Sequence, residues 1–151
     1  MSILEIWKIL EDCKEKGLVK SIGVSNFSQQ ILLSMVPFVK YPPVVNEIES
    51  HPYNVHKNMI KTLKKLKMVM VASSPLLRGG AAQKQALGDK IDYMNEAVLK
   101  EISQKYAKTV PQVILNWQIC RGVGVVQKTE KLDHLNDNFN ITDFEILEED
   151  L

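Results

Sequence analysis

A chain of 151 residues, 45% hydrophobic and 25% charged, has the content of one globular domain and enough apolar mass for a real core. The formal net charge is +1 and lysines are interspersed with acids, so neither a nucleic-acid footprint nor a polybasic membrane face is indicated. Cys13 and Cys120 lie far apart with no Cys or His at metal-ligand spacing, which reads as two reduced thiols. Met1 leads straight into an amphipathic pattern without a leader or a bilayer-length apolar run, so a soluble, cytoplasmic protein without a membrane partner is expected.

Helical and strand periods alternate along the chain. Ile3, Ile6, Trp7 and Leu10 give an apolar helix face running towards Cys13 and stopping near Gly17, a residue suited to the left-handed cap position. Ile22 to Val24 predict a short strand ending in Ser25 and Asn26. A helix over Gln29 to Met35 stops before Pro37, and Val44 to Ile48 follow as a second strand. Lys57 to Leu66 read as a helix with lysines on one side and Met59, Ile60, Leu63 and Leu66 on the other. Met68 to Ala72 make a third strand, continuously apolar as when both faces are covered.

From Ser73 to about Tyr93 the pattern fails among Gly79, Gly80 and Gly88, which reads as a long functional or mobile loop. Helical periodicity returns near Asn95 and continues through Ala97, Leu99, Ile102 and Tyr106. Thr109 and Pro111, an N-cap and first-turn pair, open another helix through Val113, Ile114, Trp117 and Cys120. Val123 to Val126 predict a fourth strand, Leu132 to Asn138 a polar helix, and Thr142 the start of a last short helix.

Four strands separated by helices imply right-handed crossovers and a parallel sheet. A doubly wound open sheet and part of a (β/α)8 barrel both fit, and periodicity does not choose. No G-x-G-x-x-G and no G-x-x-x-x-G-K-[ST] is present, so the Rossmann and P-loop readings lack their phosphate-cradling glycines.

The ordered motifs G-L-V-K-S-I-G-V-S-N-F, P-V-V-N-E-I-E-S-H-P-Y, V-M-V-A-S-S-P-L and R-G-V-G-V-V-Q-K-T cover almost the whole chain. Together they resemble the last four strands of the aldo-keto reductase family. The resemblance implies an α/β fold over residues 1–151, the C-terminal half of a TIM (β/α)8 barrel with its site at the strands' C-terminal ends. It also places the family's proton-donating tyrosine, with its lysine, aspartate and histidine, on strands that would precede Met1. No catalytic residue is therefore assigned to this chain.

Cofactor contacts are carried over from the resemblance position by position. Ser25 and Asn26 match the pair that binds the nicotinamide carboxamide, and Glu47 stands where a glutamine would; a carboxylate cannot donate as an amide does. Ser73 replaces a tyrosine that stacks on the nicotinamide, while Ser74 and Leu76 match the segment passing the pyrophosphate. Lys128 and Thr129 match the pair at the adenosine 2′-phosphate. His134 stands where an arginine clamps that phosphate, and loss of the guanidinium is expected to cost NADPH preference about 1–3 kcal/mol. Asp137 and Asn138 match adenine-side residues. NADPH is thus the implied cofactor, held less firmly than in complete relatives.

Other tempting residues have plainer readings. His51 and His56 read as a turn histidine and a surface histidine rather than a metal site. None of Tyr41, Tyr53, Tyr93 and Tyr106 replaces the missing proton donor. Trp7 and Trp117 read as core, and Glu148, Glu149 and Asp150 as a solvated tail. Half a barrel leaves two strand edges and interior side chains uncovered, which implies a complementing half-barrel, self-association or a larger assembly. Two functions stay open: a reductase fragment that needs complementation, and a non-catalytic scaffold that retains the fold.

Overall fold

The structure is a computed structural model and describes residues 1–77 and 92–150. Helices Ile3–Glu15 (α1), Gln29–Met35 (α2), Lys57–Lys65 (α3), Ala97–Tyr106 (α4), Val110–Cys120 (α5) and Leu132–Phe139 (α6) alternate with strands Val24–Ser25 (β1), Val45–Glu49 (β2), Val69–Ser73 (β3) and Gly124–Val126 (β4). The strands form one open, parallel sheet in the order β1-β2-β3-β4. This unbroken sequential order has no switch point, so it fits successive barrel strands rather than a doubly wound sheet, in which the order reverses.

Residues 1–48 and 56–71 make one compact unit. A capping box starts α1: Ser2 Oγ accepts from Glu5 N at 3.3 Å, and the Glu5 carboxylate accepts from Ser2 N at 2.5 Å. Gly17, at φ +71°, takes the left-handed position just beyond the helix. Trp7 is buried with Ile22 and Met35, and its indole N–H donates to Tyr41 O at 3.1 Å. Leu10 packs on this cluster. Ile3 and Ile6, expected on the same face, remain exposed because the cluster engages the helix only from Trp7 onward.

β1 and β2 pair in parallel, Val24 opposite Asn46 and Ser25 opposite Glu47. A Cβ on Gly23 would lie 2.5 Å from Val45 Cγ2, so this close approach requires glycine. Leu63 of α3 is buried and the lysines of that helix are exposed, as its sequence pattern requires.

Residues 49–55 and 72–150 form the second unit. α5 is its centre, with Val110, Val113, Ile114 and Leu115 buried beside Val123, Ile141 and Ile146. Its start is a second capping box: Gln112 N donates to Thr109 Oγ1 at 3.3 Å and Thr109 N to Gln112 Oε1 at 3.0 Å. Three amides on this otherwise apolar helix are also buried. Asn116 Nδ2 donates to Ile141 O and Phe144 O, both at 2.8 Å, and its Oδ1 accepts from Ile146 N at 3.2 Å. Gln112 Nε2 donates to Asp137 O and Asn140 O at 3.2 Å each. Gln118 Nε2 donates to Ser50 Oγ at 3.1 Å.

Several expected boundaries move. All four strands start one or two residues later than their apolar runs, and β1 to β3 also end later, because ladder pairing extends into the polar rim. α4 begins at Ala97, near Asn95 as expected, behind a 3₁₀ turn at Tyr93–Asn95; the Glu96 carboxylate makes no cap and instead accepts from Tyr53. No helix starts at Thr142: Asn116 takes the carbonyls and the amide that a helix would pair internally, leaving only a 3₁₀ turn at Glu148–Asp150.

The acidic tail is not simply solvated. Lys105 Nζ lies 2.9 Å from Glu149 and 2.7 Å from Asp150, while Tyr106 Oη donates to Asp150 at 2.8 Å. These contacts, the lysine first, hold the Asp150 carboxyl below the usual carboxylate range. Trp117 is half-buried rather than core, with the Arg121 guanidinium 4.1 Å from its ring centroid. Cys13 and Cys120 are free and half-buried. Most of the expected long loop, including Gly79, Gly80 and Gly88, lies outside the described residues. Among the described residues no helix is long and apolar enough to cross a membrane.

Replacing Asn116 by Ala would leave two carbonyls and an amide without the partner that now satisfies them. The Asn116→Ala variant is expected to lose about 3 kcal/mol of unfolding free energy, read as a lower midpoint in urea denaturation.

Candidate cofactor site

The sequence-predicted residues gather in two places, one in each unit, with Ser73 and Ser74 beside the second. In the first, Asn26 N donates to Glu47 O at 2.8 Å and Ser25 Oγ donates to the same carbonyl at 3.2 Å. Asn26 Nδ2 donates to Ser25 Oγ at 3.3 Å. Asn26 has φ 58°, a left-handed conformation that asparagine tolerates better than most residues. Ser25 and Asn26 are exposed and Glu47 is half-buried.

The register of β1 on β2 thus brings Ser25, Asn26 and Glu47 together. Ser25 and Asn26 also satisfy their own strand-to-loop turn. Asn46, which sequence reasoning passed over, is fully buried and closes that turn: its Nδ2 donates to Phe27 O at 2.9 Å and its Oδ1 accepts from Phe27 N at 3.3 Å. Its signal was an amide at the position between Val44 and Ile48 on one face of the strand.

In the second unit β3 ends at Ser73, whose carbonyl accepts from Ser50 N at 3.2 Å. Ser74 and Leu77 both adopt positive φ, 50° and 57°, with Leu77 N donating to Ser74 O at 2.9 Å. This tight turn carries Leu76 to a cavity of about 250 Å³. Lys128, Thr129, His134, Asp137 and Asn138 line the same cavity, joined by Met94, Thr109, Pro111 and Gln127. Lys128 follows β4 and pairs with Glu130 at 3.0 Å, both side chains being widely exposed. Thr129 Oγ1 accepts from Lys131 N at 3.2 Å. His134, Asp137 and Asn138 lie along α6. A cation, a hydroxyl and an imidazole on an apolar floor can bind an oxyanion beside a flat ring.

Beyond β2 the chain turns sharply. His51 and Asn54 exchange backbone hydrogen bonds at 3.4 and 2.8 Å, and Ser50 Oγ donates to Asn54 O at 3.1 Å. His51 is a turn histidine as expected but a buried one, with Nε2 3.5 Å from Glu49 Oε1. His56 is half-buried at the start of α3, with φ 49°, rather than simply on the surface. Arg121 donates to Gln118 Oε1 at 3.2 Å and also to Val55 O, and burial draws its guanidinium below the ordinary value. Among the described residues there is no cluster of three or more His, Cys, Asp and Glu side chains arranged to hold a metal ion.

The Aldo/keto reductase family model matches residues 1–151. The chain belongs to the aldo/keto reductase family. It is 38% identical over 151 residues to aldose reductase C of Dictyostelium discoideum, covering 100% of this chain and 44% of that protein. Among solved structures, a Bombyx mori aldo-keto reductase in complex with NADP superposes with TM-score 0.90 at 28% identity, covering 99% of this chain and 48% of the other. An aldo-keto reductase complexed with NADPH gives TM-score 0.91 at 30% identity, covering 99% and 46%. The chain therefore spans about half the length of the relatives it matches, and its open four-stranded sheet matches part of an aldo-keto reductase (β/α)8 barrel.

Two tyrosines, Tyr53 and Tyr93, are held above the ordinary phenol value. Tyr53 Oη donates to Glu96 Oε1 at 2.7 Å, and burial first, then this bond, push its phenol from 10.0 up to about 12. Burial likewise raises Tyr93. A raised phenol favours the fold in full below its unfolded value, and that contribution is lost as pH climbs through the folded value. In an ultraviolet titration of wild type minus Tyr53→Phe, Tyr53 is expected to ionise near pH 12 rather than near 10. Glu96→Gln should lower that midpoint only part of the way, since burial is the larger cause; a full return to the ordinary value would contradict it.

Proposed function

We propose that this chain is the NADP(H)-holding portion of a carbonyl-reducing oxidoreductase, gripping its cofactor chiefly at the adenosine 2′-phosphate end. The observation that carries this reading is the convergence of Leu76, Lys128, Thr129, His134, Asp137 and Asn138 on one cavity. These six residues are drawn from three separated stretches of sequence. Lys128 and Thr129 would donate to phosphate oxygens, His134 would stand across from them, and Asp137 and Asn138 would meet the adenine edge.

The nicotinamide end fits less well. Ser25 already donates to Glu47 O, Glu47 offers acceptors where a donor is also needed, and Ser73 presents no ring to stack on. When bound, NADPH would supply the hydride for reduction of an aldehyde or ketone; the chain's own residues would bind and orient it. Protonation of the carbonyl oxygen is assigned to groups outside these residues, carried by a complementing half-barrel that also covers the sheet edges. Glu47, Ser73 and His134, where the family's glutamine, tyrosine and arginine are replaced, favour a second reading, a non-catalytic subunit that keeps the fold for its surfaces. Its partner would then be a second copy or a larger assembly.

Titration of the purified chain with NADPH, followed by nicotinamide fluorescence, is expected to show saturable binding without carbonyl-dependent oxidation. Lys128→Ala should weaken NADPH by about tenfold and NADH by much less, since the charged contact is to the 2′-phosphate. Absence of binding to either nucleotide would favour the scaffold reading. Turnover by the chain alone would place a proton donor within it.

A further inference from the structure

Gln112 does not line the adenosine-end cavity, yet it ties two of the cavity's walls together. Its Oε1 accepts from Thr109 N at 3.0 Å and from Thr109 Oγ1 at 3.1 Å, and Thr109 and Pro111 line one wall. Its Nε2 donates to Asp137 O and Asn140 O at 3.2 Å each, at the end of α6 that carries Asp137 and Asn138 into another wall. Both acceptor positions of the side-chain oxygen and both amide hydrogens are used, on a side chain only 7% exposed. A capping box needs only the acceptor half of this residue. The two donated bonds are additional, and they reach across 25 and 28 residues of sequence.

Asn116, one turn further along α5, makes a similar clasp but to residues 141–146, none of which lines the cavity. The two amides therefore divide the work by position. We propose that Gln112 is a positioning residue that fixes α6, and with it His134, Asp137 and Asn138, at the spacing from Lys128 and Thr129 that a 2′-phosphorylated adenosine requires. This rests on the cofactor reading above for its ligand, but not for its geometry. Asn116 by contrast contributes stability without setting that spacing.

Gln112→Glu separates the two halves of the side chain's work, because a glutamate keeps the capping-box acceptor and loses both donors to α6. It is expected to raise the dissociation constant for NADPH by about tenfold and to lower the NADPH-to-NADH affinity ratio several-fold. In the nucleotide-free chain, amide exchange over residues 135–140 should quicken while the first turn of α5 stays protected. Asn116→Ala should lower the melting temperature yet leave the affinity ratio within about twofold. An unchanged ratio in folded Gln112→Glu, or an equal change in Asn116→Ala, overturns the assignment.

Should Gln112→Glu not fold, Gln112→Met, of similar volume and helix preference, is read by the affinity ratio and by exchange over residues 135–140 alone, since it also loses the capping acceptor at the start of α5. If neither folds, Gln112 is structural and the assignment is overturned. If the wild-type chain binds neither nucleotide, the cofactor reading has failed. The exchange measurement then decides this inference alone: unchanged protection over residues 135–140 refutes it.

Discussion

Buried amides on an apolar helix are the constraint from which the second unit takes its shape. Gln112, Asn116 and Gln118 all lie on α5, and each donates to a segment without regular structure or to a helix end. Burying an amide without partners is costly, so each of these side chains is stable only where backbone or hydroxyl groups meet it. The loop segments likewise have carbonyls that these amides satisfy. Helix and loops therefore specify one another: moving residues 141–146 away from Asn116 would strand both sides at once.

The same logic operates at smaller scale beside β2. Asn46 closes the Phe27 turn from inside the strand, and Ser25 with Asn26 caps the carbonyl of Glu47. Polar residues matched by resemblance to cofactor contacts thus already serve the fold. Ser25 and Asn26 are where a turn needs short polar side chains, whatever else they bind. The cavity residues differ. Lys128 and His134 are exposed, and among the described residues no turn or helix cap depends on either side chain, so their convergence with Thr129, Asp137 and Asn138 is less readily explained by folding alone.

Much of the fold was legible because apolar periodicity and helix-start chemistry are local. The Trp7 and Leu10 stripe, the glycine after α1, and Thr109 followed by Pro111 all predicted what formed. Boundaries slipped where pairing partners sit elsewhere in the chain. The Thr142 helix failed because Asn116 outcompeted it for its own hydrogen bonds, and the tail at Glu149 and Asp150 was drawn in by Lys105 and Tyr106. The roles of Asn46, Gln112, Asn116 and Gln118 were invisible for the same reason. A polar residue in an apolar pattern announces that it needs a partner, not which one.

The sequence by itself determined the alternation of strands and helices, the family resemblance and the identity of the polar residues at the strand ends. These follow from short-range periods and ordered motifs. Only the tertiary structure decided that Leu76, Lys128, Thr129, His134, Asp137 and Asn138 share one cavity, that the strands run in sequential order, and which carbonyls the buried amides of α5 would satisfy. Hydrogen bonds between groups 25 or more residues apart depend on where the chain returns, and no local pattern encodes that distance.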